Sequence, residues 1–326
     1  MKTQSGRIIV RYHSLLSWAF VTLAISLGIT SGFQLFGESR DYLNYLVGYK
    51  NLRLTDTLDN VRFEPGYMLA AWTAKFLLGL GFEAFSAILV SGGLLIKFQL
   101  FRNFQRPILT TIFYLCCWYP VHEYTQIRTA LAISLSLLAA NFIFQGRLVA
   151  FAIAMSLAVT FHSTALLIAM AITTVYLKRF RLPLVIVAIA LVALVGESLS
   201  SFVYSASLEL NPLVEVYVTF QDQDTVRILS GSNLLAVAFL ASVLLSRSLK
   251  TRKDECFFIL ASFGLVAAVA LQTFPIFSYR IKEIFLVFLV PLAFNAPLTK
   301  RTLPQYTTAA ALAAWSLYSA ISQGII

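Results

Sequence analysis

Apolar segments recur near 14–36, 65–80, 84–101, 108–121, 128–144, 148–161, 164–177, 182–199, 233–249, 256–274, 281–296 and 305–323. That pattern decides the solvent in which the chain folds. Most of the runs are 14–22 residues long without strict alternation, which fits membrane helices and not the dyad-patterned strands of a barrel. Of the residues, 59% are hydrophobic and only 12% are charged, with a mean hydropathy of +0.79. A soluble domain of that composition would have almost nothing polar left for its surface. The sequence therefore reads as an all-α, polytopic helical membrane protein. The polar intervals at 37–63 and 200–232 are too small for a separate fold, so residues 1–326 are expected to form a single membrane domain with those two intervals as outward loops.

Orientation follows from charge. Basic residues gather as Lys2/Arg7/Arg11, Lys97/Arg102/Arg106, Arg147, Lys178/Arg179/Arg181, Arg247/Lys250/Arg252/Lys253 and Lys300/Arg301. These groups are expected to face the cytoplasm. Placing all of them inside requires that one of the segments 65–80 and 84–101 does not cross. The choice falls on 65–80, which opens with Pro65-Gly66 and contains Lys75, as an interfacial or re-entrant helix. About eleven crossings remain, with the N-terminus inside and the C-terminus outside. The first segment is longer than a signal-peptide core and lacks a small-x-small site, so it reads as a retained span. The net charge of +10 is then mostly positive-inside bias and gives no support to nucleic-acid binding. Cys116, Cys117 and Cys256 lie in or beside apolar spans and read as small core residues.

In this topology the outward side carries Asp41, Tyr42, Tyr45 and Tyr49, then Glu64-Pro65-Gly66-Tyr67, His122-Glu123-Tyr124 with Arg128, His162, Arg227, and Tyr279-Arg280. Arg128 opens an otherwise apolar helix, and a cation there opposes the helix dipole. One reading is a guanidinium snorkelling to headgroups. The other is a buried anion, carboxylate or ligand phosphate, gripped by its bidentate fork. His162 interrupts the apolar interval 148–177, which is too long for one crossing, so two short spans are expected to meet beside it. There it either packs into a capping turn with Ser163 or Thr164, or presents a recessed polar tip. Arg280 repeats the Arg128 arrangement, with an i,i+3 pair to Glu283 as the alternative.

Several chemistries drop out. His122-Glu123 lacks the second His of a zincin, Asp222 and Asp224 are too few for a calcium loop, and neither GxxxxGK[ST] nor GxGxxG occurs. The outward site also argues against cytosolic nucleotide-sugar chemistry.

The ordered set Asp41-Tyr42-x-x-Tyr45, Glu64-Pro65-Gly66-Tyr67, Gln126-Ile127-Arg128-Thr129-Ala130-x-Ala132 and Phe161-His162-Ser163-Thr164-Ala165-Leu166 resembles the EpsG-like branch of the Wzy-type polysaccharide polymerases. The resemblance covers roughly residues 30–180, and in the C-terminal half it rests on hydropathy and Arg280. Many relatives carry Arg-Gln where this chain has Arg128-Thr129, a change of lining. The resemblance implies a GT-C-like polymerase architecture in the bacterial inner membrane, with a periplasmic active site. It implies a metal-independent glycosyltransferase without cofactor that moves a growing glycan from undecaprenyl pyrophosphate onto a lipid-linked repeat unit. A chain-length regulator and a flippase are the implied partner proteins.

The residues fit that chemistry independently. Arg128 and Arg280, with Arg227 as a third, suit a lipid pyrophosphate at the outer boundary. His162 or Glu64 is the available general base; His162 is preferred, because Glu64 is equally suited to fixing an arginine. Tyr42, Tyr45, Tyr67 and Tyr124 are candidates for stacking on sugar rings. An O-antigen ligase would share this architecture with a different acceptor. A transporter or flippase of lipid-linked glycan would need charges along a path from both faces, and a multi-span acyltransferase a cytoplasmic thioester donor.

Overall fold

Gly28 and Gly32 stand four residues apart on one face of the first helix, the small-xxx-small spacing that lets two membrane helices approach backbone to backbone. In the computed structural model, which describes residues 4–39, 41–54, 63–177, 230–272 and 275–325, that face packs on the fourth helix. A Cβ added at Gly32 would lie 2.5–2.7 Å from the backbone N, Cα and Cβ of Ala87, so only glycine permits the contact. Below it the Phe20 and Phe98 rings meet at 5.6 Å and Arg102 Nη1 donates to Ser17 Oγ at 2.6 Å. The pair α1 (Gln4–Gly32) and α4 (Phe82–Phe101) is therefore antiparallel, in register from Ser17/Arg102 to Gly32/Ala87.

Between them come α2 (Tyr42–Asn51) and α3 (Pro65–Trp72), the latter running into a π-helical turn at Thr73–Leu77. Lys75, at the end of this stretch, donates to the carbonyls of Tyr49, Lys50 and Leu52, so it caps the C-terminus of α2. At 1.5 Å per residue, residues 65–77 reach only about 20 Å, short of the ~30 Å of a hydrocarbon core. After α4, α5 (Pro107–Cys117) gives way to a turn over 118–126, and α6 (Ile127–Phe144) runs to Gly146, whose φ of +74° closes it. The amide of Gly146 bonds to Ile143 O and that of Arg147 to Phe142 O, which starts α7 (Leu148–Phe161) back along α6. The chain breaks at 162–164 and resumes as α8 (Ala165–Leu177), so the expected pair of short helices meeting at His162 is present.

The described residues divide into two compact units, Met1–Ala169 with Ala313–Ile326, and Met170–Leu312. The second contains α9 (Gly231–Leu245), α10 (Arg252–Ala270), α11 (Pro275–Leu286), a 3-10 turn at Val287–Leu289 and α12 (Val290–Ala293). The last helix, α13 (Leu303–Ser322), begins in it. Thr251 and Asp254 form a reciprocal capping box that starts α10. All elements among the described residues are helical, in line with the all-α expectation. Three of them, Ser14–Gly32, Phe82–Phe101 and Ile127–Phe144, are long and apolar enough to cross a bilayer. The apolar segment 182–199 and nearly all of the interval 200–232 lie outside the described residues.

One assignment made from charge alone is corrected. Lys97, counted with the cytoplasmic loop charges, is not in a loop: it is fully buried within α4, paired with Glu123 from the 118–126 turn. Glu123, expected on the outward surface, is fully buried with it. The physical reason is that α5 has only 11 residues and the turn that follows it folds back against α4 and α6, where Glu123 meets Lys97 and Tyr114.

Candidate active site

The site begins with a proline. Pro65 occupies the first turn of α3, where its missing N–H costs nothing, and it forces Glu64 before it into extended backbone, φ −63° and ψ 150°. Glu64 makes no side-chain cap to its own helix, and its carboxylate reaches across to two other helix ends. One oxygen, Oε2, pairs with Nη1 of Arg128, the second residue of α6. The other, Oε1, lies 2.8 Å from Nδ1 of His162, the residue that ends α7. Arg128 fits its position because of Glu64: a cation at the N-terminus of α6 opposes the dipole, and the carboxylate offsets it. His162 sits at the C-terminus of α7, its Nδ1 turned to Glu64.

The cluster is recessed but open. Arg128 and Glu64 side chains are each 18% exposed and His162 12%. Around the guanidinium stand three rings: its carbon lies 4.7 Å from the centroid of Phe63, 5.3 Å from Tyr45 and 5.8 Å from Tyr67. Tyr45 and Phe63 stack on each other at 5.6 Å, and Phe63 meets Tyr67 edge-on at 5.3 Å. Arg128 Nε also donates to Tyr45 Oη at 3.3 Å. A caged, paired arginine keeps one orientation of its fork, which a flexible surface arginine does not. The close approach of α3 to α7 depends on Gly66, where a Cβ would stand 2.5 Å from Thr160 Oγ1 and 2.8 Å from its carbonyl oxygen.

Of the sequence candidates, Glu64, Arg128 and His162 are thus brought together with Tyr45 and Tyr67. Tyr45 and Tyr67 are buried beside Arg128 with their rings tilted against each other, and among the described residues the Tyr67 hydroxyl has no hydrogen-bond partner. Tyr124 is buried elsewhere: its hydroxyl donates to Gly37 O at 2.7 Å and accepts from the Phe36 amide at 2.8 Å, a strap on the loop after α1. Tyr42 stands apart, half-buried, its ring on Phe82 and its hydroxyl 3.4 Å from Glu83. Arg280 does not repeat the Arg128 arrangement: it is exposed in the middle of α11, five residues past the start of that helix, because the helix already begins at Pro275; Arg227 lies outside the described residues. Sequence reasoning missed Phe63, although its place directly before Glu64-Pro65-Gly66-Tyr67 is a signal that an aromatic adjoins the motif.

The sequence model of the EpsG family matches residues 17–322. The chain belongs to the EpsG family. Its match takes in the whole of the Glu64–Arg128–His162 cluster. No curated protein and no solved structure matches it. EpsG-family chains are membrane proteins of the polysaccharide-polymerase kind, associated with glycosyltransferase-like chemistry on lipid-linked glycans. For this EpsG-family protein the chemistry available at the cluster is that of a fixed cation beside a carboxylate-oriented imidazole. One binds and neutralises an anion; the other exchanges a proton.

Proposed function

We propose that this protein is a glycan polymerase of the bacterial inner membrane, with its active site on the outer side, which transfers a growing polysaccharide from undecaprenyl pyrophosphate onto a lipid-linked repeat unit. The observation that carries the proposal is the Glu64 bridge between Arg128 and His162 at three converging helix ends. In the neutral imidazole with its proton on Nδ1, that proton is donated to Glu64 and the lone pair stands on Nε2. Nε2 then takes the proton from the acceptor sugar hydroxyl as its oxygen forms the new bond to the donor's anomeric carbon. The bond from that carbon to the pyrophosphate oxygen breaks, and its electron pair departs on the phosphate. Arg128, already aimed and partly desolvated, meets the charge as it develops. Glu64 serves both steps by orientation, as the acid of a catalytic triad does for its histidine.

Tyr45, Phe63 and Tyr67 form the wall that holds Arg128, so a role as a sugar-stacking face passes, among the tyrosine candidates, to half-buried Tyr42. Arg280 and Arg227 stay candidates for binding phosphate charge on the sequence reading alone. The single membrane domain, the crossing count of eleven and the flippase and chain-length partners stand with this proposal.

The test is polymer formation by purified protein given a defined undecaprenyl-pyrophosphate oligosaccharide and no other enzyme. The expected result is a ladder of products that disappears with Arg128→Ala and with His162→Ala. A ladder of undiminished yield from Arg128→Ala refutes the mechanism. Movement of the lipid-linked unit across a vesicle membrane without any ladder replaces the enzyme by a transporter.

A further inference from the structure

Arg128 is held from behind as well as from in front. Lys97 projects from α4 into the first unit's core, where it has no exposure at all. Its Nζ has three acceptors for its three protons: Glu123 Oε1 at 2.5 Å, the carbonyl of Ala130 at 2.9 Å and Ser134 Oγ at 2.7 Å. The other Glu123 oxygen accepts from Tyr114 Oη at 2.5 Å, and the Tyr114 ring lies 5.3 Å from Nζ. His122, beside Glu123 and also fully buried, is kept from charging: burial first, and then the Lys97 ammonium, hold its pKa down to about 3, so no second cation competes for the carboxylate.

The three gripped residues share one feature. Glu123 is in the turn leading into α6, Ala130 is in the first turn of α6 and Ser134 in the next, so a single ammonium holds the chain on both sides of Arg128. A buried ion pair adds little net stability over apolar groups of the same volume, because two ions must be desolvated to form it. Its distinctive contribution is geometry: a point charge with three directed donors fixes the turn relative to the helix, which packed methylenes would leave free to slide. We infer that Lys97, acting through Glu123 and Ala130, is a positioning residue for Arg128, and that it sets the place of the guanidinium toward the phosphate-bearing substrate. This rests on the reading of Arg128 as the anion-binding group. Lys97 itself touches no substrate.

Lys97→Met alone strands a buried carboxylate and is expected to fold poorly. The informative variant is the double substitution Lys97→Met with Glu123→Gln, which removes both charges at nearly constant volume and keeps an acceptor for Tyr114. In detergent, the full chain carrying it is expected to melt within a few degrees of the wild type. Backbone hydrogen exchange over residues 124–130 should be faster, and inorganic pyrophosphate should bind about 10- to 100-fold more weakly, the scale of losing one hydrogen bond to a charged group. In an Arg128→Ala background the same double substitution should cause no further loss of pyrophosphate binding, since the residue it positions is gone.

Unchanged exchange over 124–130 overturns the inference, with no ligand involved. So does wild-type pyrophosphate binding by the double variant, or a loss that adds in full to that of Arg128→Ala, which would mark a general structural effect. If Arg128→Ala itself binds pyrophosphate as the wild type does, it is the proposed function that falls, and the exchange result still decides whether Lys97 holds the turn.

Discussion

At the scale of the residue, Glu64 is the hinge of the site, and its amide is the sharpest probe of it. Glu64→Gln keeps the shape but turns half of the bridging carboxylate into a donor, which Arg128 and His162, both donors toward it, cannot use. Turnover should drop by about 10²–10⁴, the contribution of a positioned general base, with the fold retained; steady-state polymerisation beside a melting curve checks both. Tyr67→Phe goes the other way for stability. Its hydroxyl is buried with no partner among the described residues, so deleting it removes a desolvation cost, and the melting temperature should hold or rise by the equivalent of about 1 kcal/mol. Arg128 was legible from sequence because a cation at the head of an apolar helix violates the dipole rule and demands an anion. That Glu64 supplies this anion was one of two readings, the other making it a general base, and the choice rests on how α3, α6 and α7 end against one another.

At the scale of the element, two glycines set distances that no side chain pattern announces. A methyl at Gly66 would stand 2.8–2.9 Å from the carbonyl group of Thr160, so Gly66→Ala must push α3 off α7 and draw Glu64 away from His162. We expect a destabilisation of about 1–3 kcal/mol together with lost turnover, measured on the same preparation. At Gly32 the neighbour is again backbone, that of Ala87, but the contact is remote from the cluster. Gly32→Ala should therefore lower the melting temperature while protein that remains folded keeps its activity per molecule. The spans themselves were legible because apolar runs report solvent. The short length of α5 was not, because the apolar run continues through the turn after Cys117: Trp118 and Tyr119 are as buried there as helix residues are.

For the whole molecule, charge and pH act on the fold together. Between pH 6.5 and about 3 the unfolded chain binds a proton at His122 that the native state refuses, so stability is full above pH 6.5 and falls as pH decreases through that window. The loss should reach about 2 kcal/mol at pH 5, on the order expected from 1.4 kcal/mol per unit, and His122→Leu should flatten the dependence of melting temperature on pH between 7.5 and 5. Orientation is tested separately. In a background without Cys116, Cys117 and Cys256, single cysteines at the exposed positions Gln105 and Gln145 should react with an impermeant thiol reagent only from the cytoplasmic side, and one at Glu38 only from outside. Labelling of Glu38→Cys from the cytoplasm would invert the topology and with it the placement of the site.

By itself, the sequence determined the solvent, the helical class, the break at His162 and the residue types of the site, because each of these follows from local composition, from spacing or from the dipole of a single helix. Only the tertiary structure decided which anion answers Arg128, that Tyr45, Phe63 and Tyr67 are its walls, and that Lys97 and Glu123 are one buried pair instead of two charges on opposite surfaces. Those facts depend on the depth at which helices end and on how closely their backbones approach, and in a membrane, where every apolar face is equally content with lipid, packing of glycines and pairing of charges fixes both.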